Sequence, residues 1–178
     1  MLKGKRVILR PLHKSDITYF LRWYNDPEVL EYLAMYLPMT EIMEEKWIEE
    51  MASGQNGTRV HFVIEAIEGN NTKPIGSIGL NKIDHRCQTA ELGIAIGEKE
   101  YWSKGYGNEA AQLLINYGFN QLNLNRIGSC VFSPNRRSLK MHQQLGFVQE
   151  GQKRQAFFKN GKFMDEIIFG LLKKEWQK

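Results

Sequence analysis

The residues from 101 to 110 carry the clearest chemical signal in the chain. Tyr101-Trp102-Ser103-Lys104-Gly105-Tyr106-Gly107-Asn108-Glu109-Ala110 places two glycines two positions apart, just ahead of a strongly helical stretch. Such a turn leaves backbone N–H groups free, and the helix behind it adds a partial positive charge. Together they make a seat for a phosphate or pyrophosphate. Glycine is needed because a side chain would hold the anion away. Gly105-x-Gly107-x-x-Ala110 also satisfies the letters of the dinucleotide fingerprint, but its context is wrong. The preceding strand ends near Ile96, nine residues before Gly105, and Ile127 stands where an acidic residue belongs about 20 positions on. No G-x-x-x-x-G-K-[ST] occurs, which excludes a P-loop.

These residues need a scaffold, and the patterning supplies one. Val7 to Leu12 reads as a first strand stopped by Pro11. Ser15 or Asp16 caps a helix whose apolar face is Ile17, Phe20, Leu21 and Tyr24. Asn25-Asp26-Pro27 ends it. Pro38 and Thr40 open a second helix, with Met43, Trp47 and Met51 on one side. Glu44, Glu45, Glu49 and Glu50 read as its solvated face. Residues 54–58 form a loop. Strands follow at 60–67, 74–83 and 90–96, close enough in sequence for an antiparallel meander. Ala111, Leu114, Ile115, Gly118 and Leu122 trace a third helix; Gly118 inside it, at a cost of about 1 kcal/mol, points to close packing on the sheet. Residues 126–132 are a strand, 134–145 a short helix, and 147–150 begin another strand. Asn160-Gly161 joins 155–159 to 162–172 as a hairpin. The expected fold class is mixed α/β (α+β): a mostly antiparallel central sheet flanked by about four helices.

Length and composition bound the function. With 178 residues the chain is expected to form a single domain over 1–178. Hydrophobic residues at 42% supply one sizeable core and exclude a disordered or acidic solvating protein. No apolar run is long enough for a membrane span or a secretory leader. Cys87 and Cys130 make neither a disulfide framework nor a zinc site, and Cys130 is expected in the core. His13, His61 and His85 show no metal spacing. A cytoplasmic, metal-free protein is expected. The net charge of +4 is a weak pointer to anionic partners. The one compact basic cluster, Arg136-Arg137 with Lys140, reads equally as a solvated helix face. The aromatics and bases of the glycine loop are too crowded for a nucleic-acid surface, so no nucleic acid and no membrane partner is expected.

Glu91-Leu92-Gly93-Ile94-Ala95-Ile96 followed by the glycine loop resembles the core motif of the GNAT N-acetyltransferases. Asn135-x-x-Ser138 and Gln144-Leu145-Gly146-Phe147 look like that family's second cofactor motif. Asn25-Asp26-Pro27-Glu28-Val29, together with Glu150-Gly151, Phe158-x-Asn160-Gly161-Lys162 and Asp165, is similar to the RimJ/RimL-type branch. The resemblance implies a splayed central strand whose backbone at Ile94, Ala95 and Ile96 pairs with the pantetheine arm of acetyl-CoA. It places the pyrophosphate on the amides of Ser103, Lys104, Gly105, Tyr106, Gly107 and Asn108. It has Asn135 and Ser138 hydrogen-bond the cofactor, although Asn135 is equally an ordinary helix cap. In family terms the leaving-group acid is often a tyrosine, and here that position is His142, which either donates a proton or simply packs against Leu139 and Leu145. Glu91 is the implied base, with a strand-edge ion pair as the plainer reading. Asp26 and Glu28 fall where the acceptor pocket is implied.

The reaction class follows from that resemblance: direct attack of a primary amine on acetyl-CoA in a ternary complex. An alkyl amine with pKa near 10.4 is only ~0.04% neutral at pH 7, so its proton has to be removed. The acceptor implied by the RimJ/RimL branch is a protein N-terminal amine. The alternatives are a small amine (a polyamine such as spermidine, or an amino sugar) and a non-catalytic acyl-CoA-binding module. A polyamine wants converging carboxylates, and Asp26, Glu28, Glu31, Glu41, Glu44, Glu45, Glu49 and Glu50 do cluster in the first fifty residues. The family also suggests a homodimer through the terminal strands.

Overall fold

The structure, a computed structural model, describes residues 1–36, 38–52 and 57–176. The expected loop at 54–58 lies mostly outside them. Eight strands form one sheet in the order β1-β2-β3-β4-β5-β6-β8-β7. They are β1 (Leu2–Lys3), β2 (Val7–Arg10), β3 (Val60–Glu68), β4 (Asn71–Asp84), β5 (Thr89–Ile96), β6 (Arg126–Phe132), β7 (Val148–Lys159) and β8 (Lys162–Leu172). All neighbours are antiparallel except β5 and β6. The helices are α1 (Ile17–Trp23), α2 (Pro27–Leu30), α3 (Glu41–Ala52), α4 (Tyr106–Asn120) and α5 (Arg136–Leu145).

The alternation of β3 shows how the sheet divides two cores. Phe62, Ile64 and Ala66 face a large cluster with Ala110, Ala111, Leu114 and Ile115 of α4 and Leu145 of α5. Val63 faces the other way, onto Phe20 and Trp23 of α1 and Ile48 of α3. A Cβ on Gly118 would stand 3.1 Å from both Leu80 and Ile127 side chains, so α4 lies close against the sheet and even alanine there would make the neighbours shift by a few tenths of an ångström. On the opposite edge Arg10 ties β2 to Asp16 at 2.7 Å and to Glu65 of β3 at 2.6 Å. Burial raises the Asp16 carboxyl pKa, but the Arg10 guanidinium and the His13 N–H more than offset it.

Four expectations are corrected. Pro27 does not only stop α1; it restarts the chain as α2, with Asp26 as N-cap accepting the Glu28 N–H at 2.9 Å. Proline fits the first helical position, where no N–H is needed. The two strands expected around 147–159 are one, kinked at Gln155 (φ 50°), where the register with β8 shifts. Cys130 is exposed, because its neighbours Ser129 and Val131 take the inward positions of β6. On α3 the phase is one residue off expectation. Met43 is exposed, whereas Glu44 is 2% exposed and faces inward with Ile48.

The feature that matters for function is a fork. β5 pairs with β6 only at Thr89–Glu91 against Arg126–Gly128, and beyond these residues the two strands part. This is the expected splayed central strand.

Candidate active site

The open edge of β5 faces the fork. Gly97 N–H donates to Ile75 on the β4 side at 2.9 Å, while the Leu92 and Ile96 carbonyls meet side chains on the opposite side. Backbone alternation then turns the N–H and C=O of Ile94 and Ile96 toward the gap, and those of Ala95 toward β4. Of the three residues expected to pair with pantetheine, two therefore turn main-chain groups toward the gap. Ala95 contributes wall rather than hydrogen bonds. The Ile96 carbonyl is already held by the Trp102 indole N–H at 2.7 Å.

A cavity of about 550 Å³ runs from this edge to the glycine loop. Ser103 (φ 59°) and Gly105 (φ 86°) both take the left-handed conformation, which curls the backbone into a nest before α4. Gly105 is the N-cap, so the amides of Tyr106, Gly107 and Asn108 open the helix without helical partners. Ser103, Lys104, Gly105, Gly107 and Asn108 line the cavity, and Lys104 is joined there by Arg137 and Lys140 of α5. The basic cluster that reads as a solvated face thus borders the nest. The acid nearest the loop, Glu109, is drawn off by Arg6, which it meets through the backbone N–H at 2.8 Å and the guanidinium at 3.1 Å. The Tyr106 side chain is turned out of the cavity, edge-on to Tyr101 and under Arg6. Free amides, three cations and an open strand edge suit a pyrophosphate with an amide-bearing arm, which is what acetyl-CoA presents.

The mouth is built from both lips. The Arg137 guanidinium stacks 3.9 Å over the Trp102 ring, joining α5 to the loop before α4. The third wall is the segment after α1: Glu28, Val29, Tyr32 and Leu33. Lys159, at the tip of β7, fixes this wall by donating to the carbonyls of Leu30, Leu33 and Met35, the last two at 2.7 Å.

Several expected residues sit elsewhere. Glu91 is half-exposed, pairs with Lys82 at 2.9 Å and lies off the cavity wall. His142 is 2% exposed, sandwiched by Phe147 and Phe169, with both ring nitrogens engaged within the protein. Burial lowers its pKa, and it does not line the cavity, so it is no direct proton donor there. Asp26 and Glu28 share Lys99, at 2.8 and 3.0 Å, and only Glu28 reaches the wall. Asn135 lines the cavity, and its side chain caps α5 by accepting the Ser138 N–H at 3.1 Å, so the helix-cap reading is the one the geometry shows. Ser138 is also on the wall. No metal-binding cluster of His, Cys, Asp or Glu occurs among the described residues, and none of their helices is long and apolar enough to cross a membrane.

One acid of the N-terminal cluster, expected on a solvated face, is instead buried. Glu44 Oε1 is buried with no hydrogen-bond partner among the described residues, and burial pushes its pKa up to about 7. Its charge is felt by Tyr24, whose hydroxyl lies 2.8 Å from Ser77 Oγ. Ser77 stands opposite Ala95 in the β4–β5 ladder. Glu44 therefore sits behind the open strand, on the face away from α4 and α5. Its four-residue spacing to Ile48 was the available signal.

Comparison with known proteins gives a consistent result. The Acetyltransferase (GNAT) domain family matches residues 6–148. Uncharacterized N-acetyltransferase p20 of Bacillus licheniformis is 32% identical, over 98% of this chain and 97% of that one. Spermidine N(1)-acetyltransferase of Escherichia coli (strain K12) is 30% identical, over 94% of this chain and 86% of that one. In fold, a spermidine N-acetyltransferase from Vibrio cholerae, solved with CoA and spermine, superposes with TM-score 0.88 at 23% identity over 98% of this chain and all of that one. Mycobacterium smegmatis RimJ, solved with CoA-disulfide, does so with TM-score 0.84 at 18% identity over 97% and 84%.

Proposed function

The chain belongs to the GNAT acetyltransferase family and is an acetyl-CoA-dependent N-acetyltransferase, and we propose that its acceptor is a polyamine-type primary amine. The observation that carries the acceptor is Glu44. A buried carboxyl with an unpartnered oxygen costs folding free energy, and a bound ammonium offsets that cost. The nearer acids are less available: Asp26 and Glu28 share Lys99, and Glu91 holds Lys82. The similarity to a spermidine acetyltransferase over nearly the whole chain supports the same reading.

Acetyl-CoA supplies the activated acetyl group as a thioester. The nest at 103–108, with Lys104, Arg137 and Lys140, holds its phosphates, and the main chain of Ile94 and Ile96 aligns its arm. A strand N–H aimed into the fork is the donor suited to the developing oxyanion. In this reading the acceptor enters past the wall that Lys159 secures, and its ammonium reaches Glu44, which is buried behind the strand and off the cavity wall, by opening the contact between α1 and α3.

An amine panel with thiol release as readout tests the acceptor. Spermidine or spermine is expected to exceed an alanine-initiated peptide and glucosamine by at least about tenfold in kcat/KM, the effect of one charge-assisted contact. A peptide turning over faster than either polyamine overturns the polyamine reading and favours a protein N-terminus.

A further inference from the structure

Three carbonyls of β5 point toward the fork, those of Leu92, Ile94 and Ile96, because main-chain groups alternate along a strand and Ala95 turns its carbonyl to β4. Side chains close two of the three. Leu92 is buried at the apex, and Ser129 Oγ covers its carbonyl at 3.1 Å. At the other end the Trp102 indole N–H donates to the Ile96 carbonyl at 2.7 Å. The carbonyl between them, on Ile94, lies beyond the β5–β6 ladder and has no partner among the described residues. Ile94, Ile96 and Trp102 all line the cavity, so this pattern faces the ligand space.

The indole is held on every side. Trp102 closes the 3-10 turn Lys99–Tyr101, and its backbone N–H donates to the Lys99 carbonyl at 3.1 Å. The Arg137 guanidinium of α5 covers its ring face at 3.9 Å. The ring N–H completes the hold on β5. Such a side chain keeps its carbonyl occupied.

The arm of acetyl-CoA carries two amide N–H groups, and an extended amide chain laid on an open strand edge has more than one register available to it. Carbonyls that point the same way are two residues apart. A slip from Ile94 to Ile96 therefore moves the thioester by about 7 Å, back toward the glycine loop. We infer that Trp102 is a positioning residue that sets the register of the acetyl-CoA arm: its indole N–H occupies the Ile96 carbonyl, leaves Ile94 the one open carbonyl on the edge, and so fixes how far the thioester reaches into the fork. The inference rests on the assignment of the fork to that arm.

A crystal structure of the wild type with acetyl-CoA tests it directly. An arm N–H is expected on the Ile94 carbonyl, with the indole still on Ile96. An arm N–H on Ile96 with the indole displaced, or none on Ile94, overturns the inference. An arm that does not run along β5 overturns the assignment of the fork itself, a distinguishable failure. Kinetics give a second reading. Trp102→Phe keeps an aromatic ring under Arg137 and removes the N–H. Slipped binding is non-productive: it ties up enzyme at saturation but leaves the reaction of free enzyme with free acetyl-CoA untouched. With the fastest amine of the panel held at saturation, kcat and KM for acetyl-CoA are expected to fall together by about two- to fivefold, up to the worth of one hydrogen bond, at unchanged kcat/KM. A ring that only walls the cavity gives the opposite pattern, a raised KM and a lower kcat/KM. That pattern, or unchanged constants, overturns the inference, and the wild-type complex decides it if the variant does not fold.

Discussion

Replacing Gly107 with tryptophan abolishes the rise in melting temperature that acetyl-CoA produces, and leaves the ligand-free protein folded. Gly107 is in the first turn of α4, and a Cβ there would meet Ile94, Ile96 and Met141 side chains, all at 3.6 Å. Those distances are ordinary contacts, so alanine fits with little strain. An indole instead extends into the space between the open strand and α5, where the phosphate end of the ligand needs direct access to backbone amides. The cost is expected to be at least about 100-fold in affinity, or about 2.7 kcal/mol. In the wild type, ligand at 100 times its dissociation constant adds about 2.7 kcal/mol, which for a chain of this length is roughly 5–10 °C. At that ligand concentration Gly107→Trp shifts by no more than about 1–2 °C, and Gly107→Ala keeps most of the wild-type shift. A full shift in the tryptophan variant would mean that the nest is not the phosphate seat.

Glu44→Gln is expected to raise KM for spermidine about 30-fold at unchanged KM for acetyl-CoA, the scale of a hydrogen bond to a buried charge. Its second consequence has the opposite sign. The folded-state pKa of about 7 lies above the ordinary glutamate value of 4.5. Folding therefore binds a proton between these values: the native state is stabilised below pH 4.5, and this stabilisation is lost as pH rises through 7. The loss is on the order of 3 kcal/mol. The glutamine variant lacks this slope and should be the more stable protein at pH 8. In wild type, KM for spermidine should climb as pH falls below 7, because a protonated Glu44 offers no counter-charge, and in Glu44→Gln it should be flat. Calorimetric melts and initial rates across pH 5.5–8.5 read both effects. A variant with wild-type spermidine KM removes Glu44 from acceptor binding.

The two substitutions also mark what a sequence can disclose. The glycine loop is legible because its chemistry is local. Gly105 and Gly107 are needed by the turn they occupy, and the helix whose dipole they borrow follows at once. The central meander and the Asn160–Gly161 hairpin are legible for the same reason. Glu44 is not legible. It is buried by the phase of α3 against α1, and a run of four glutamates in seven residues looks like a wetted surface. His142 is misread in the opposite direction. Its position in a motif suggests chemistry, but Ser129 and Phe169, distant in sequence, close over it. Glu91 sits on the expected strand and face, yet Lys82 across the β4–β5 connection claims its charge. Position in the chain fixes which residues are near a site; only the packing of separate elements fixes which of them are free to act.

The fork has a mechanical meaning as well as a chemical one. On one side lie β1 to β5, and on the other β6 to β8; a short parallel ladder and the back of α4 join them. A protein under selection for rigidity alone would zip that seam, because the main-chain groups of Ile94 and the N–H of Ile96 are rungs left out of the sheet. On the reading proposed above, acetyl-CoA supplies the missing rungs: its arrival would make the two leaves one continuous surface, and each release of CoA would reopen the molecule along the line where it is weakest.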